Sequence, residues 1–127
     1  MARTTILMAT YNGERYLSDQ LNSFLRHTCE DWDLWVSDDG SSDNTKNILY
    51  NFSTKHDSEH AVTVIDGPGR GFVCNFLSLA SVCHNESEFF AFSDQDDIWE
   101  NDKLERAIKW LETIPSTIPA LYCSRTE

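Results

Sequence analysis

The stretch FFAFSDQDDIW, residues 89–99, decides the fold because an apolar run ends abruptly in acidic side chains. Its first residues are typical of a buried β-strand. Three carboxylates follow at once, on Asp94, Asp96 and Asp97. Carboxylates so close together repel one another unless a cation or a set of hydrogen-bond donors holds them. The stretch therefore predicts a strand that brings acidic side chains to one rim of a sheet.

The rest of the chain alternates between strand and helix patterns. Strands are predicted at 4–10, 32–40, 61–66 and 89–94, with a fifth beginning at 120–124. Apolar residues recur at helical spacing in the segments that follow the first four strands, at 11–27, 41–52, 72–84 and 101–114. Ser42 or Asp43 is the expected N-cap of the second helix. This alternation predicts βαβ units, and therefore an α/β fold with a mainly parallel sheet flanked by helices.

Composition limits the classes of function. The 127 residues, 40% of them hydrophobic, suit one globular domain, and no apolar run is long enough to span a bilayer. A formal net charge of −11 argues against a nucleic-acid partner and fits a cation-binding protein, although a solvated acidic surface would give the same total. The four cysteines show no zinc spacing, and Cys74 and Cys123 are expected to be buried among apolar neighbours.

In an open parallel sheet, ligands bind beyond the carboxyl ends of the strands. Here the segments that follow the four strands are TYN, SDDGS, DGPGRG and SDQDD, so small and polar residues gather at that rim. Asp38 or Asp39 could accept the ring N–H that uracil, thymine and guanine present, while the other acid could cap the following helix. The ring of Tyr11 could stack on a base, or it could be an ordinary surface or core tyrosine.

Two further features could serve a diphosphate and a cation. Arg70 lies between two glycines, where its guanidinium could bind phosphate oxygens or simply be solvated. Side chains at i and i+2 of an extended segment share a side, so Asp94 and Asp96 are expected to face one ligand while Gln95 and Asp97 face away. Mg²⁺ or Mn²⁺ is typically held by one or two carboxylates beside phosphates and water. The alternative is a turn whose acids favour the start of the next helix, the role expected of Asp97.

Three motifs in order resemble glycosyltransferase family 2, namely ILMATYNGERYLSDQLNSFLRHT (6–28), DWDLWVSDDGSSDNT (31–45) and FFAFSDQDDIWENDKLE (89–105). Within them, MATYNGERYL and SDQDDIW are most similar to the bacterial rhamnosyltransferase-type members. The resemblance covers essentially the whole chain. It implies the GT-A fold, a Rossmann-like nucleotide-binding domain, truncated here at its C-terminus.

The resemblance also implies roles for individual residues. The nucleotide-binding residues would be Thr10, Tyr11, Asp39, Arg70 and Asp94. Tyr11 would lie against the base, Asp39 would accept the base N–H, and Arg70 would lie near the diphosphate. Asp94 and Asp96 would form the DXD motif, in which Asp96 coordinates Mn²⁺ or Mg²⁺ and Asp94 approaches the ribose or the sugar.

The implied activity is sugar transfer from a nucleotide-diphosphate sugar, of UDP or dTDP type, to an acceptor hydroxyl in bacterial polysaccharide or glycan synthesis. Transfer would be metal-assisted and inverting, and the acceptor a glycan or a lipid-linked glycan. The catalytic base of such enzymes lies in their later half, and no residue here is assigned to it. Residues 1–127 are therefore expected to be the donor-binding portion of a longer cytoplasmic enzyme, inactive alone, whose full-length form could associate peripherally with the inner face of the membrane.

Three other functions stay open. A nucleotidyltransferase would need a glycine-rich phosphate loop with a basic residue after the first strand, and MATYNGERY has a single glycine. A receiver-like signalling domain would need a phosphoacceptor on the third strand, where Asp66 could stand, and a lysine on the fifth, where ALYCSRTE offers none. A non-catalytic module that binds nucleotide or metal would share every feature of the rim.

Overall fold

The structure is a computed structural model that describes residues 3–124. Four strands are present: β1 (Thr4–Thr10), β2 (Trp32–Asp38), β3 (Val62–Asp66) and β4 (Phe89–Ser93). Each strand is followed by a helix, and these are α1 (Leu17–Leu25), α2 (Thr45–His56), α3 (Phe72–Val82) and α4 (Lys103–Leu111). The predicted α/β fold is confirmed.

The sheet is fully parallel, with the order β3-β2-β1-β4. β1 lies in the interior of the sheet, and all seven of its residues are buried. From β1 the chain moves outward through β2 and β3 and then returns to place β4 on the other side of β1. The strand order thus reverses between β1 and β4, which is where open α/β sheets hold their ligands.

A single apolar core lies against the sheet. Ile6, Met8, Leu34 and Val36 of the strands pack with Leu17, Leu21 and Phe24 of α1, and with Leu49, Phe52, Leu104 and Ile108 of the later helices. Trp32 and Trp99 complete this cluster. The ring of Trp99 packs edge-on against that of Phe24, with 4.8 Å between the ring centroids. Burial of these side chains stabilises the fold by ~25 cal/mol per Å² of apolar surface removed from water. The core therefore fixes the strand ends that carry the polar rim.

The structure corrects three expectations, which concern the fifth strand, the N-cap of α2 and the burial of two cysteines. Residues 120–124 form no strand. The N-cap position of α2 is Asn44, not Ser42 or Asp43, although the Asp43 carboxylate accepts a hydrogen bond of 2.9 Å from the N–H of Thr45, the first residue of the helix.

Cys74 and Cys123 are exposed rather than buried. Cys74 lies on an outward face of α3, where Phe72, Val73 and Leu77 are also exposed. None of the helices in residues 3–124 combines the length and the apolar character that crossing a membrane requires.

Candidate nucleotide-binding site

A cleft of about 560 Å³ lies at the carboxyl ends of the strands, beside the point where the strand order reverses. It is lined by Ala9, Thr10, Tyr11, Asp39, Gly40, Gly69, Gly71, Phe72, Asn75, Phe76, Asp94, Gln95 and Asp96. Five of the six residues that the sequence singled out are among them. The exception is Arg70, whose exposed side chain lies between two lining glycines but is not itself part of the lining.

The two adjacent acids after β2 have different environments. Asp38 is 1% exposed, and its carboxylate accepts hydrogen bonds from the hydroxyl of Thr10 at 2.8 Å and from the N–H of Ser41 at 2.9 Å. It therefore organises the turn after β2 and does not cap α2. Asp39 faces the cleft. Of the two acids, Asp39, the one that the family resemblance favoured, is in a position to meet a ligand.

The carboxylate of Asp39 also holds the glycine-rich segment 67–71. Its Oδ1 accepts a hydrogen bond of 2.6 Å from the N–H of Gly69, and its Oδ2 accepts one of 3.1 Å from the N–H of Gly71. Both glycines have positive φ angles, of 72° and 94°, which side chains disfavour. A carboxylate offers about four acceptor positions, so two remain for a ligand.

Four successive backbone amides in the loop between β1 and α1, those of residues 11–14, are already occupied. Side chains from elsewhere in the fold accept their hydrogen bonds, namely Tyr11 N–H to Gln95, Asn12 N–H to Ser41, Gly13 N–H to Thr45 and Glu14 N–H to Asp43. In dinucleotide-binding sheets the amides of this loop hold the phosphates. Here they are not free to do so, and a phosphate group would need other partners.

Acidic side chains crowd the rim beyond β4. The pKa of Asp94 is raised from its ordinary value, first by desolvation and then by the negative charges of Asp96 and Asp97, while Lys103 partly offsets them. Asp97 is not among the residues that line the cleft, and its carboxylate lies 4.0 Å from the ammonium of Lys103, the first residue of α4. A bound cation beside Asp94 would relieve the repulsion.

The donor set fits a hard divalent cation that shares its ligands with phosphate. Among residues 3–124, no group of three or more histidine, cysteine, aspartate or glutamate side chains could hold a metal. Asp94 and Asp96 both line the cleft, and one or two carboxylates are what Mg²⁺ usually takes from a protein when phosphates and water complete its shell. These two residues could hold such an ion together with a diphosphate.

The comparison with known protein families decides the family. The model of the family described as "Glycosyl transferase family 2" matches residues 5–126. The chain belongs to this family. Two bacterial relatives are similar over most of this family 2 chain. The first is the dTDP-rhamnosyl transferase RfbG of Shigella flexneri. The chain is 37% identical to it over 108 residues, a match that covers 82% of this chain and 36% of the relative.

The second relative is the UDP-Glc:alpha-D-GlcNAc-diphosphoundecaprenol beta-1,3-glucosyltransferase WfgD of Escherichia coli. It is 36% identical over 107 residues, which is 84% of this chain and 40% of the relative. The family 2 chain thus spans well under half the length of either relative.

Solved structures confirm the GT-A fold. The mannosyltransferase PcManGT from Pyrobaculum calidifontis, in complex with GDP-Man and Mn²⁺, superimposes with a TM-score of 0.76 at 24% identity, covering 87% of this chain and 32% of the other. Residues 1–349 of TarS from S. aureus, in complex with UDP-GlcNAc, give a TM-score of 0.65 at 26% identity and cover 87% of this chain and 31% of theirs.

Two buried polar residues of this family 2 chain support the cleft from behind. Asn75 of α3 is 1% exposed, and its amide donates to the carbonyl of Ser37 at 2.9 Å and to that of Thr10 at 3.4 Å. Gln20 of α1 donates to the hydroxyl of Ser93 at 3.0 Å at the end of β4. Helical spacing places both on inward faces, but only the fold shows which strand ends they hold.

The expectation that Gln95 faces away from the ligand is wrong. Gln95 lines the cleft, and its amide reaches across to the backbone of Tyr11. The prediction assumed that the extended backbone of β4 continues, whereas the strand ends at Ser93 and residues 95 and 96 form a turn. Alternation of sides applies only to extended backbone.

Proposed function

We propose that this chain is the donor-binding portion of a glycosyltransferase that uses a nucleotide-diphosphate sugar of UDP or dTDP type. The observation that carries the proposal is the convergence of Tyr11, Asp39, Asp94 and Asp96 on one cleft at the switch point of the sheet. These residues come from the ends of three different strands. Together they offer an aromatic face, a hydrogen-bond acceptor and a pair of carboxylates.

The base is proposed to bind between Tyr11 and Asp39. The ring of Tyr11 is 56% exposed at the cleft, so it is available for stacking, which is worth ~1–3 kcal/mol per base in nucleic-acid binders. The carboxylate of Asp39 only accepts hydrogen bonds, and uracil and thymine present a ring N–H to such a group. Cytosine and adenine lack it. The relatives named for dTDP-rhamnosyl and UDP-Glc transfer support the same two bases.

The diphosphate is proposed to lie towards the acidic rim and not in the loop after β1. The backbone amides of residues 11–14 in that loop already donate to side chains and are not free to donate to phosphate. Asp94 and Asp96 would hold Mn²⁺ or Mg²⁺ there, and Arg70 could swing its exposed guanidinium onto the phosphate oxygens. When bound, the cation would supply Lewis-acid neutralisation of the leaving diphosphate.

The chain's own residues would bind and orient the donor. Asp39 and Tyr11 would fix the nucleoside, and Asp94 would approach the ribose or the sugar. We assign no catalytic base, and we propose that the base and most acceptor contacts lie in parts that the relatives possess beyond the matched region. Transfer would invert the anomeric centre, and the acceptor would be a glycan or lipid-linked glycan in polysaccharide synthesis. This chain alone is expected to bind donor without transferring sugar.

The occupied amides also weigh against a nucleotidyltransferase, which would use the loop after β1 for phosphate. A receiver-like domain is disfavoured because Asp66, its candidate phosphoacceptor, is not among the residues that line the cleft. Product analysis distinguishes a nucleotidyltransferase from a glycosyltransferase, because nucleotidyl transfer releases pyrophosphate and glycosyl transfer releases a nucleoside diphosphate.

A thermal-shift panel tests the proposal. UDP, dTDP, GDP, CDP and ADP are each added to the chain with and without Mn²⁺. UDP or dTDP should raise the unfolding midpoint in a metal-dependent way, and Asp96→Asn should remove the metal effect. Asp97→Asn is the matched control, because it removes the same charge outside the cleft. An equal response to all five nucleotides would count against base recognition by Asp39.

A further inference from the structure

The side-chain amide of Gln95 forms a paired contact with the backbone of a single residue, Tyr11. The N–H of Tyr11 donates to Oε1 of Gln95 at 2.8 Å, and Nε2 of Gln95 donates to the carbonyl of Tyr11 at 3.0 Å. Both backbone groups of Tyr11 are therefore held by one side chain that is 84 residues away in sequence. The arrangement resembles one rung of a β-ladder in which an amide replaces the neighbouring strand.

Gly13 makes room for this contact. A Cβ atom at Gly13 would overlap the amide of Gln95, whose Oε1 would be its nearest neighbour. Gly13 is not among the residues with positive φ, so backbone conformation does not require glycine at this position. A side chain there would instead require the amide of Gln95 to move.

We infer that Gln95 is a positioning residue that fixes Tyr11 against the nucleotide base. The inference rests on the proposed function, because it presupposes that the ring of Tyr11 meets a base. Tyr11 has an exposed ring and follows the last residue of β1, so its backbone amide and carbonyl need a partner to set where the ring stands. Gln95 supplies that partner from the turn after β4, the strand that pairs with β1.

Gln95 also lies between Asp94 and Asp96. One short turn after β4 thus carries the proposed cation ligands and the group that holds the proposed stacking residue. Glutamine suits the task because its amide has both a donor and an acceptor. A methionine would keep the length and lose both hydrogen bonds, and a glutamate would place a carboxylate oxygen against the carbonyl of Tyr11.

The test measures two ligands and one amide proton on wild type and Gln95→Met. Calorimetry gives the affinity for UDP with Mn²⁺ and, separately, for pyrophosphate with Mn²⁺. NMR gives the hydrogen-exchange rate of the Tyr11 amide. In the variant we expect that exchange to accelerate at least about tenfold and UDP affinity to fall about tenfold, with pyrophosphate affinity unchanged. A role confined to general stability would weaken both ligands alike.

Gly13→Ala provides a second route to the same state, because its methyl group would push Gln95 off Tyr11. It should lower UDP affinity to the same extent as Gln95→Ala, and the double variant should be no worse than Gln95→Ala alone. Three results would overturn the inference if wild type still binds UDP. They are additive losses of UDP affinity in the double variant, an unchanged hydrogen-exchange rate of the Tyr11 amide in Gln95→Met, and unchanged UDP affinity in Gln95→Met. If wild type binds neither UDP nor dTDP, the proposed function itself fails.

Discussion

The carboxylate of Asp39 accepts a hydrogen bond of 2.6 Å from the backbone N–H of Gly69. The same carboxylate faces the cleft, where the proposed function gives it a second donor, the N–H of a base. One acidic group therefore joins the glycine-rich segment to the nucleoside pocket. Because the hydrogen bond from Gly69 and the one from the base use different lone pairs of the carboxylate, both can form together.

Replacing Asp39 tests the proposed hydrogen bond between its carboxylate and the base. Asp39→Asn keeps the shape but removes the charge and one acceptor oxygen, so a charge-assisted hydrogen bond to the base is lost. UDP affinity measured by calorimetry should fall about tenfold to a hundredfold. Asp38→Ala should act differently, since it leaves buried donors of Thr10 and Ser41 unpaired and should destabilise the fold by about 2–4 kcal/mol in urea titration. Equal UDP affinity in Asp39→Asn and wild type would contradict base recognition by this residue.

Two glycines offer a matched pair of alanine substitutions. A methyl group at Gly67 would overlap Oδ1 of Asn75 and come within 2.6 Å of Oδ1 of Asp39, so both cleft residues would have to move. At Gly40 there is open space, and only the φ of +87° opposes a side chain. Gly40→Ala should cost ~1–2 kcal/mol of unfolding free energy, because the methyl group is opposed only by the backbone conformation. Gly67→Ala should also lower UDP affinity severalfold, and intact binding there would argue against the proposed geometry.

Charge repulsion at the acidic rim should destabilise the metal-free chain. Desolvation and the charges of Asp96 and Asp97 raise the pKa of Asp94, so its ionised form is held at a cost. Asp94→Asn should therefore raise the free energy of unfolding without metal, by less than about 1 kcal/mol once solvent screening is counted, and with it the unfolding midpoint. The same variant should respond less to Mn²⁺ with UDP. A lower midpoint in metal-free buffer would show that Asp94 stabilises the resting fold.

His27 gives the fold a pH dependence of known sign. Its Nε2 accepts a hydrogen bond of 2.9 Å from the N–H of Leu104 in the first turn of α4, which requires the neutral ring. Burial is the main cause that lowers the pKa of His27 below 6.5, partly opposed by Ser23 and Asp102. Below pH 6.5 the unfolded chain therefore binds more protons than the folded chain, and stability falls as pH falls.

The slope from this one group is at most ~1.4 kcal/mol per pH unit, between pH 6.5 and the lowered pKa of the folded state. His27→Gln keeps an acceptor and cannot titrate, so urea titrations at several pH values should show a flatter profile over that window. An unchanged profile would mean that His27 binds protons equally in the folded and unfolded chain, which would contradict a buried neutral ring at the start of α4.

Sequence patterns predicted all four strands and helices because each has a strong apolar period and clear breakers. The sequence did not predict that β4 ends at Ser93. The direction of the Gln95 side chain was therefore predicted wrongly, because a turn replaces the extended backbone that alternation assumes. The residue types alone left Asp38 and Asp39 open, because both are acceptors. The family resemblance favoured Asp39, and the fold shows which partner each acid has. The N-cap position was predicted at Ser42 or Asp43 and is Asn44, while the Asp43 carboxylate accepts from the N–H of Thr45 and, as only the fold shows, from that of Glu14.

The donor-binding claim can be tested most directly by solving the crystal structure of this chain with UDP, or dTDP, and Mn²⁺, using the anomalous signal to locate manganese. We predict one manganese peak beside Asp94 and Asp96, bridged to the diphosphate, with the base against Tyr11 and its N–H directed at Asp39. Manganese absent from that rim while the nucleotide is bound elsewhere would contradict the account.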